Sequence, residues 1–424
     1  MKKVAIIGAG ISGLSTAYHL HQECAVTVFE KQPFPGGHTD THELEIDGRP
    51  LRVDSGFIIF CPEYYPHFFA MLQDLGVAYQ PTDMSFSAHN KQSGLVYNAT
   101  SLNKLFCQRR NLLSPRFYRM LIDLLRFYSR STDVLNSQDQ TTTVEAFLTQ
   151  HGYSEAFWHD HLLPMMSALW SSPPERVAQF PIRHLVEFFK AHGLLKVVGR
   201  PQWMVVKNGS KSYVEALQQR LNVNWRLGCT ISSVTRNESG IQVHSDSHAE
   251  PEEFDLVVFA THSDQALKLL AAPSQAETEI LGAIPFEHNH VVVHTDESLL
   301  HPNRQSWASW NTEVPNNVEP DSQYKCTANY WMNALQSLPG PTNVFTTLNS
   351  NNRIQADKIL VERHYTHPVF TAASVAAQKR KPEIDGQHHT YYVGAYWGWG
   401  FHEDGARTAF QISKKIKERL ACTA

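Results

Sequence analysis

The chain has 424 residues, 42% apolar and 18% charged. That composition suits two or three folded domains with a large core and excludes a disordered or collagen-like protein. Thirty-seven Lys and Arg against 41 Asp and Glu leave a net charge of −4, so no nucleic-acid partner is expected. Cys24, Cys61, Cys107, Cys229, Cys326 and Cys422 form no CxxC pair and read as reduced thiols, not as a disulfide frame or a zinc site.

The start, Met1-Lys2-Lys3 before an apolar run, imitates a secretion signal, but the run breaks at Gly8 and no small-residue cleavage site comes after it. No window offers 18 uncharged apolar residues for a transmembrane helix. The expected compartment is the cytoplasm, with contact at a membrane surface left open. Lys3 to Ile7 reads as a buried parallel strand. Gly8, Gly10 and Gly13 then form G-x-G-x-x-G, and Ile11 to His21 continues at helical period through Ser12. A second strand, Ala25 to Glu30, ends in an acid 22 residues after Gly8. In a dinucleotide fold Gly8 makes the tight turn, Gly10 lets backbone approach a pyrophosphate, and Gly13 lets helix pack on strand. The helix N-terminus offers unpaired N–H groups to the phosphates. Glu30 can accept both ribose hydroxyls and repels a 2′-phosphate, which disfavours NADP.

FAD and NAD share that fingerprint. Beyond Glu30 the chain runs Lys31-Gln32-Pro33-Phe34-Pro35-Gly36-Gly37-His38-Thr39, with a second Gly pair just past the acid, and later Asp54-Ser55-Gly56. With these motifs the chain resembles the flavin-containing amine oxidase superfamily, which includes carotenoid desaturases and protoporphyrinogen oxidase. His38 stands where that family usually has an Arg. The resemblance implies FAD, and with no His or Cys in a recognisable flavin-attachment context the cofactor is expected to be non-covalent. It implies an α/β fold, with a discontinuous Rossmann-like FAD-binding domain and a second α+β substrate domain, as in monoamine oxidase and phytoene desaturase-like flavoproteins. The FAD domain is expected over 1–84, 205–284 and 365–424, and the substrate domain over 85–204 and 285–364.

Helical patterns dominate Leu102 to Gly199. Within them Arg116 to Arg130 reads as a basic amphipathic helix, with Arg116, Arg119, Asp123, Arg126 and Arg130 on one face and Phe117, Met120, Leu121, Leu124 and Tyr128 on another. Such a helix lies on an anionic membrane or packs as a surface helix on its own domain. Cys229 to Val234, Ile241 to His244 and Asp255 to Phe259 read as strands. The resemblance sets Ile231 and Val234 beside the adenine and runs Ala260-Thr261 past the cofactor. Tyr391 to Arg407 reads as a strand, an aromatic and glycine-rich turn, and a helix from Gly405 to Leu420 capped by Asp404. By resemblance this helix N-terminus faces the flavin. Ala395 replaces the usual family Glu, so contacts are expected from N–H groups around Gly405 and Ala406.

Val53 to Phe60, Asp83 to Ser87, Tyr330 to Asn333 and Trp397 to Asp404 together resemble one bacterial subfamily of FAD/NAD-binding amine-oxidase-like proteins, commonly encoded beside cyclopropane-fatty-acid synthases. Many amine oxidases carry a Lys near the flavin, on the strand matching Pro285 to Thr295. Here that stretch has none, and Asn289 and His290 occupy the neighbourhood, with Trp397 a further candidate beside the ring. His288 and His290 form an H-x-H, but no third ligand completes a metal set. The reading is an FAD-dependent oxidoreductase acting on a hydrophobic small-molecule or acyl substrate, by desaturation or reduction at C–C bonds. The alternatives are amine oxidation, or a non-catalytic FAD-binding partner of a lipid methyltransferase. Peripheral membrane contact fits the first reading.

Overall fold

The computed structural model describes residues 1–196, 199–238, 240–315, 327–350 and 352–422, and the structural statements below concern these. Cys326 lies outside them. A five-stranded parallel sheet carries the order Asn224–Leu227, Ala25–Glu30, Lys3–Ile7, Leu256–Phe259, Thr390–Tyr392. Its three central strands are near-continuous apolar runs because both faces are covered. Successive side chains point to opposite faces. Val4, Ile6, Val28 and Val258 therefore join Leu14, Ala17 and Ile412 of helices Ile11–Leu20 and His402–Ala421 on one side. On the other side Ala5, Ile7, Val257 and Phe259 meet Val234 and Val243 of a three-stranded antiparallel sheet. The molecule is thus α/β, with a Rossmann-type layer arrangement.

A seven-stranded mixed sheet forms the other large layer, in the order Ile359–Pro368, Phe286–His294, Phe345–Leu348, Thr327–Trp331, Trp310–Val314, Phe86–Asn90, Leu95–Asn98. Its pairs are antiparallel except Trp310–Val314 with Phe86–Asn90. Helices Pro115–Asn136, Val144–Gln150, Leu163–Trp170 and Ile182–Ala191 share an aromatic-rich core around Phe127, Phe157, Phe180 and Phe188.

One local expectation changes. The last helix begins at His402, with Phe401 at its N-cap. Asp404 sits inside the first turn, where its Oδ2 accepts the Trp399 and Phe401 N–H groups at 2.9 and 3.1 Å. It closes the turn from the third helical position, as capping-box acids do. The basic face from Arg116 to Arg130 is partly neutralised by buried acids. Arg116 pairs with buried Asp160 at 2.9 Å, and Arg119 and Arg126 pair with buried Asp123 at 3.2 and 3.4 Å.

Candidate active site

Strands Lys3–Ile7 and Leu256–Phe259 are neighbours, but their chains leave to opposite sides of the sheet, the first toward Ala25–Glu30. Beyond the carboxyl ends of such a pair a crevice opens. Here it is part of a cavity of about 1230 Å³, larger than the ~300–1,000 Å³ typical of small-ligand pockets.

At the crevice the residues fit a dinucleotide. Gly8 turns with φ +103°, and its N–H donates to the Phe29 carbonyl at 2.8 Å. A side chain on Gly13 would overlap the Gly8 carbonyl oxygen, so helix and strand touch only because position 13 has none. The N-cap Gly10 supplies no capping side chain, and the first turn holds no acid. The leading N–H groups of the helix are left for an anion. The second Gly pair closes on this turn. The Gly36 N–H donates to the Ala9 carbonyl at 2.8 Å, and a Cβ on Gly37 would stand 3.0 Å from the Gly10 Cα. Glu30 ends its strand with Oε2 accepting the Ala9 N–H and Oε1 accepting the Gln32 N–H, each at 2.9 Å.

Of the sequence-derived site residues, Gly8, Gly10, Ile11, Ser12, Glu30, Lys31, Gly37, His38, Ile231, Ala260 and Thr261 line the cavity. Gly13 and Gly36 stand behind it and shape the turn. Val234 is fully buried and pairs with Val243. Asp404, Gly405 and Ala406 do not line it; Gly405 instead packs on Ser12 and Ile11, where a Cβ would meet Ser12 Oγ at 2.7 Å. From that segment the lining takes Gly400, Phe401 and His402. Asn289 is buried beside the cavity wall, its amide 3.0 Å from His367 Nδ1 and its Oδ1 accepting from Asn349 at 2.8 Å. His290 stacks on His364 and lies 3.5 Å from Glu362. Trp397 is buried in the core with Tyr392 and Tyr396. None of these three lines the cavity, because the strand period and the turn aim them into other layers.

Around the sequence-derived His38, residues that motif reading missed form much of the wall. His38 Nε2 donates to the Thr366 carbonyl at 3.2 Å, and its ring lies 5.0 Å from Tyr365 and 6.0 Å from His262. Burial lowers the pKa of His38 and brings His262 down to about 3, so this wall is aromatic and uncharged at neutral pH. Arg363 is neutralised by Asp40 at 2.7 Å. His402 stacks on Phe57 at 3.5 Å, with Nε2 3.1 Å from both Tyr213 Oη and Thr39 Oγ1; burial holds its pKa well below the usual value. Away from the glycine turn, the lining includes Met165, Leu169, Trp170, Phe188, Trp399 and Phe401. Phe188 and Phe401 stack at 5.0 Å. These side chains come from separate helices and a loop, so no fixed spacing announces them. Asp54 ties the site to its scaffold. It accepts from Thr41 Oγ1 at 2.5 Å, Ser210 N–H at 3.0 Å and Gln336 Nε2 at 2.8 Å, while burial pushes its carboxyl up to about 6. Among the described residues no group of three or more His, Cys, Asp or Glu is placed to hold a metal ion.

Residues 11–359 match the family model of the flavin-containing amine oxidoreductases. No curated relative matches the sequence. Solved structures share the fold at low identity. A CLA-producing fatty acid isomerase from P. acnes is 15% identical with a TM-score of 0.70, 98% of each chain being covered. Cyclohexylamine oxidase from Brevibacterium oxydans IH-35A is 16% identical with a TM-score of 0.70, 99% of each chain being covered. Putrescine oxidase is 13% identical with a TM-score of 0.69, 98% of this chain and 99% of that one being covered. With the family model spanning most of the chain and a glycine cradle shaped for a dinucleotide, the protein belongs to the flavin-containing amine oxidoreductases and is an FAD-dependent oxidoreductase.

Proposed function

We propose that the substrate is a hydrophobic molecule of the modified fatty-acyl or lipid class, and that the reaction is desaturation or reduction at a C–C bond. The observation that carries this is the apolar part of the cavity lining, which includes Met165, Leu169, Trp170, Phe188, Trp399 and Phe401, and where burial lowers the pKa of the His192 ring packed on Phe188. An alkyl chain offers no charge to grip, so its site must hold it by shape and apolar contact. The only lysines in the described lining are Lys31 and Lys268, neither on strand Phe286–His294. One fold relative is a fatty acid isomerase, so the architecture accommodates lipid-directed chemistry.

FAD, held non-covalently, supplies the exchange of an electron pair with the substrate. The chain does the rest. The first-helix N–H groups and Glu30 hold the nucleotide, the Gly10–Gly37 approach admits the pyrophosphate, and the aromatic arm orients the alkyl chain and excludes water. The neutral His38–His262–Tyr365 wall adds no fixed charge beside it. We assign 1–84, 205–284 and 365–424 to cofactor binding and the remainder to the substrate side.

Anaerobic mixing tests the reading. Bleaching of the bound flavin by a fatty-acyl lipid, or reoxidation of the reduced protein by an unsaturated one, is the expected result. Bleaching by amines alone would return amine oxidation to first place. Response to neither would favour a non-catalytic partner of a lipid methyltransferase. Acid precipitation should release all yellow colour to the supernatant; colour in the pellet would overturn non-covalent attachment.

A further inference from the structure

Eleven large hydrophobic side chains are exposed among the described residues, and six of them fall between positions 102 and 125. They are Leu102 at 76%, Leu112 at 46%, Leu113 at 89%, Tyr118 at 42%, Ile122 at 59% and Leu125 at 56%. This is clustering, not the scattered exposure that any surface shows. Three consecutive segments carry it: helix Leu102–Leu105, the turn Arg109–Leu113 and helix Pro115–Asn136. The Tyr118 hydroxyl donates to the Leu112 carbonyl at 3.0 Å, and the Phe106 and Tyr118 rings lie 6.2 Å apart, so the segments form one surface. On the long helix Tyr118, Ile122 and Leu125 are spaced i, i+4, i+7 and make one stripe. The core is served by a different stripe of that helix, with Phe117, Met120, Phe127 and Val134 buried. The exposed stripe is therefore surplus to the packing of the domain.

The charge around it is mostly of one sign. Between positions 101 and 130 lie Lys104, Arg109, Arg110, Arg116, Arg119, Arg126 and Arg130, against the single acid Asp123, which is fully buried. Buried Asp160 and Asp123 pair with Arg116, Arg119 and Arg126, so the cationic rim is made by Lys104, Arg109, Arg110 and Arg130. The chain as a whole is acidic. An apolar stripe rimmed by cations on an acidic protein complements an anionic bilayer, whose headgroups attract the rim while the acyl boundary accepts the leucines. No helix among the described residues is long and apolar enough to cross a membrane, so the contact is one of lying on the surface. The same helix also supplies Tyr128 to the cavity lining, which places the stripe and the cavity on two faces of one element.

We infer that the surface made by Leu102, Leu112, Leu113, Tyr118, Ile122 and Leu125 docks the protein on an anionic lipid bilayer. The inference deepens the lipid reading of the cavity but rests on separate residues. The test is co-sedimentation of the FAD-loaded full chain with vesicles of phosphatidylcholine alone or mixed with phosphatidylglycerol. Binding should favour the mixed vesicles and fall with salt. Leu113→Gln with Ile122→Gln should weaken it about tenfold or more, and Arg109→Gln with Arg110→Gln should do so on mixed vesicles only. Retained yellow colour shows that each variant is folded, and flavin bleaching by detergent-dispersed lipid should be unchanged in both. Binding equal on neutral and mixed vesicles, binding untouched by the leucine and isoleucine changes, or a dimer that these changes break in place of vesicle binding would each overturn the proposal. Vesicle binding without bleaching would instead fault the substrate reading and leave the docking surface standing.

Discussion

Two glycines of the same motif serve different ends. A Cβ on Gly10 would have as its nearest neighbour the Gly37 Cα, at 3.9 Å, an ordinary contact. Gly10→Ala should leave thermal stability nearly unchanged and lower FAD affinity, because it fills the space we propose for the pyrophosphate. A Cβ on Gly13 overlaps the Gly8 carbonyl, so Gly13→Ala should lower stability by about 1–3 kcal/mol as helix and strand move apart. Thermal melts beside a flavin titration separate the two; equal melting losses would refute the assignment. Glu30→Ala removes the carboxylate that accepts from Ala9 and Gln32 and that we propose as the ribose acceptor. It should weaken FAD binding by about 1.5–3 kcal/mol, the range for charge-assisted hydrogen bonds. Fluorescence titration of the apoprotein reads this directly, and unchanged affinity would mean that Glu30 holds only its own loop.

The C-terminal helix is the element whose placement matters most to the cofactor side. It packs along the first helix, and Gly405 lies against Ile11 and Ser12, the leading residues whose N–H groups face the crevice. Gly405→Ala would bring a methyl within 2.7 Å of Ser12 Oγ and 2.9 Å of Ile11 Cγ2. The two helix starts should separate by a few tenths of an ångström, with about 1–3 kcal/mol lost in stability and a parallel fall in flavin affinity. Unaltered melting and affinity would show that the contact relaxes freely. The sequence shows this helix and its glycine clearly. It does not show that the glycine packs against another helix, since packing and cofactor contact both favour a residue without a side chain.

At the scale of the whole molecule, buried neutral histidines govern the response to acid. Burial lowers His89, His161 and His294 to about 4 and His184 to about 3. Below pH 6.5 the unfolded chain takes up these protons while the folded chain does not. Stability from them is complete above that pH and is lost as pH falls toward 4. Asp54 acts in the opposite sense. Its carboxyl, raised to about 6, holds a proton in the fold that the unfolded chain has released, so its contribution declines as pH rises from about 4 to 6. Burial raises Glu403 as well, but against these two carboxyls stand at least six imidazoles, His19 being lowered to about 4 and His262 to about 3, so acid destabilisation wins. The urea midpoint of the FAD-loaded protein should drop steadily from pH 7 to 5, with uptake of more than one proton on unfolding. A flat or rising profile toward acid would sink the account.

Local pattern determined the α/β class, the first strand, helix and strand, the glycine cradle and Glu30. Each depends on neighbours within 30 residues and on backbone requirements that few residue types meet. The flavin family was legible for the same reason. The apolar arm was not, because Trp170, Phe188, Trp399 and Phe401 converge from elements far apart in the chain, and an aromatic residue in a helix serves core and cavity alike. Sheet pairing decided the fate of Asn289 and His290, turning one into the wall behind the cavity and the other toward Glu362. Periodicity found the amphipathic helix, but only the packed structure showed that Asp123 and Asp160 hold three of its arginines and that its exposed stripe is Tyr118, Ile122 and Leu125. Which side of a helix faces protein depends on the elements packed against it, and those are fixed by tertiary contacts rather than by the order of residues along the helix.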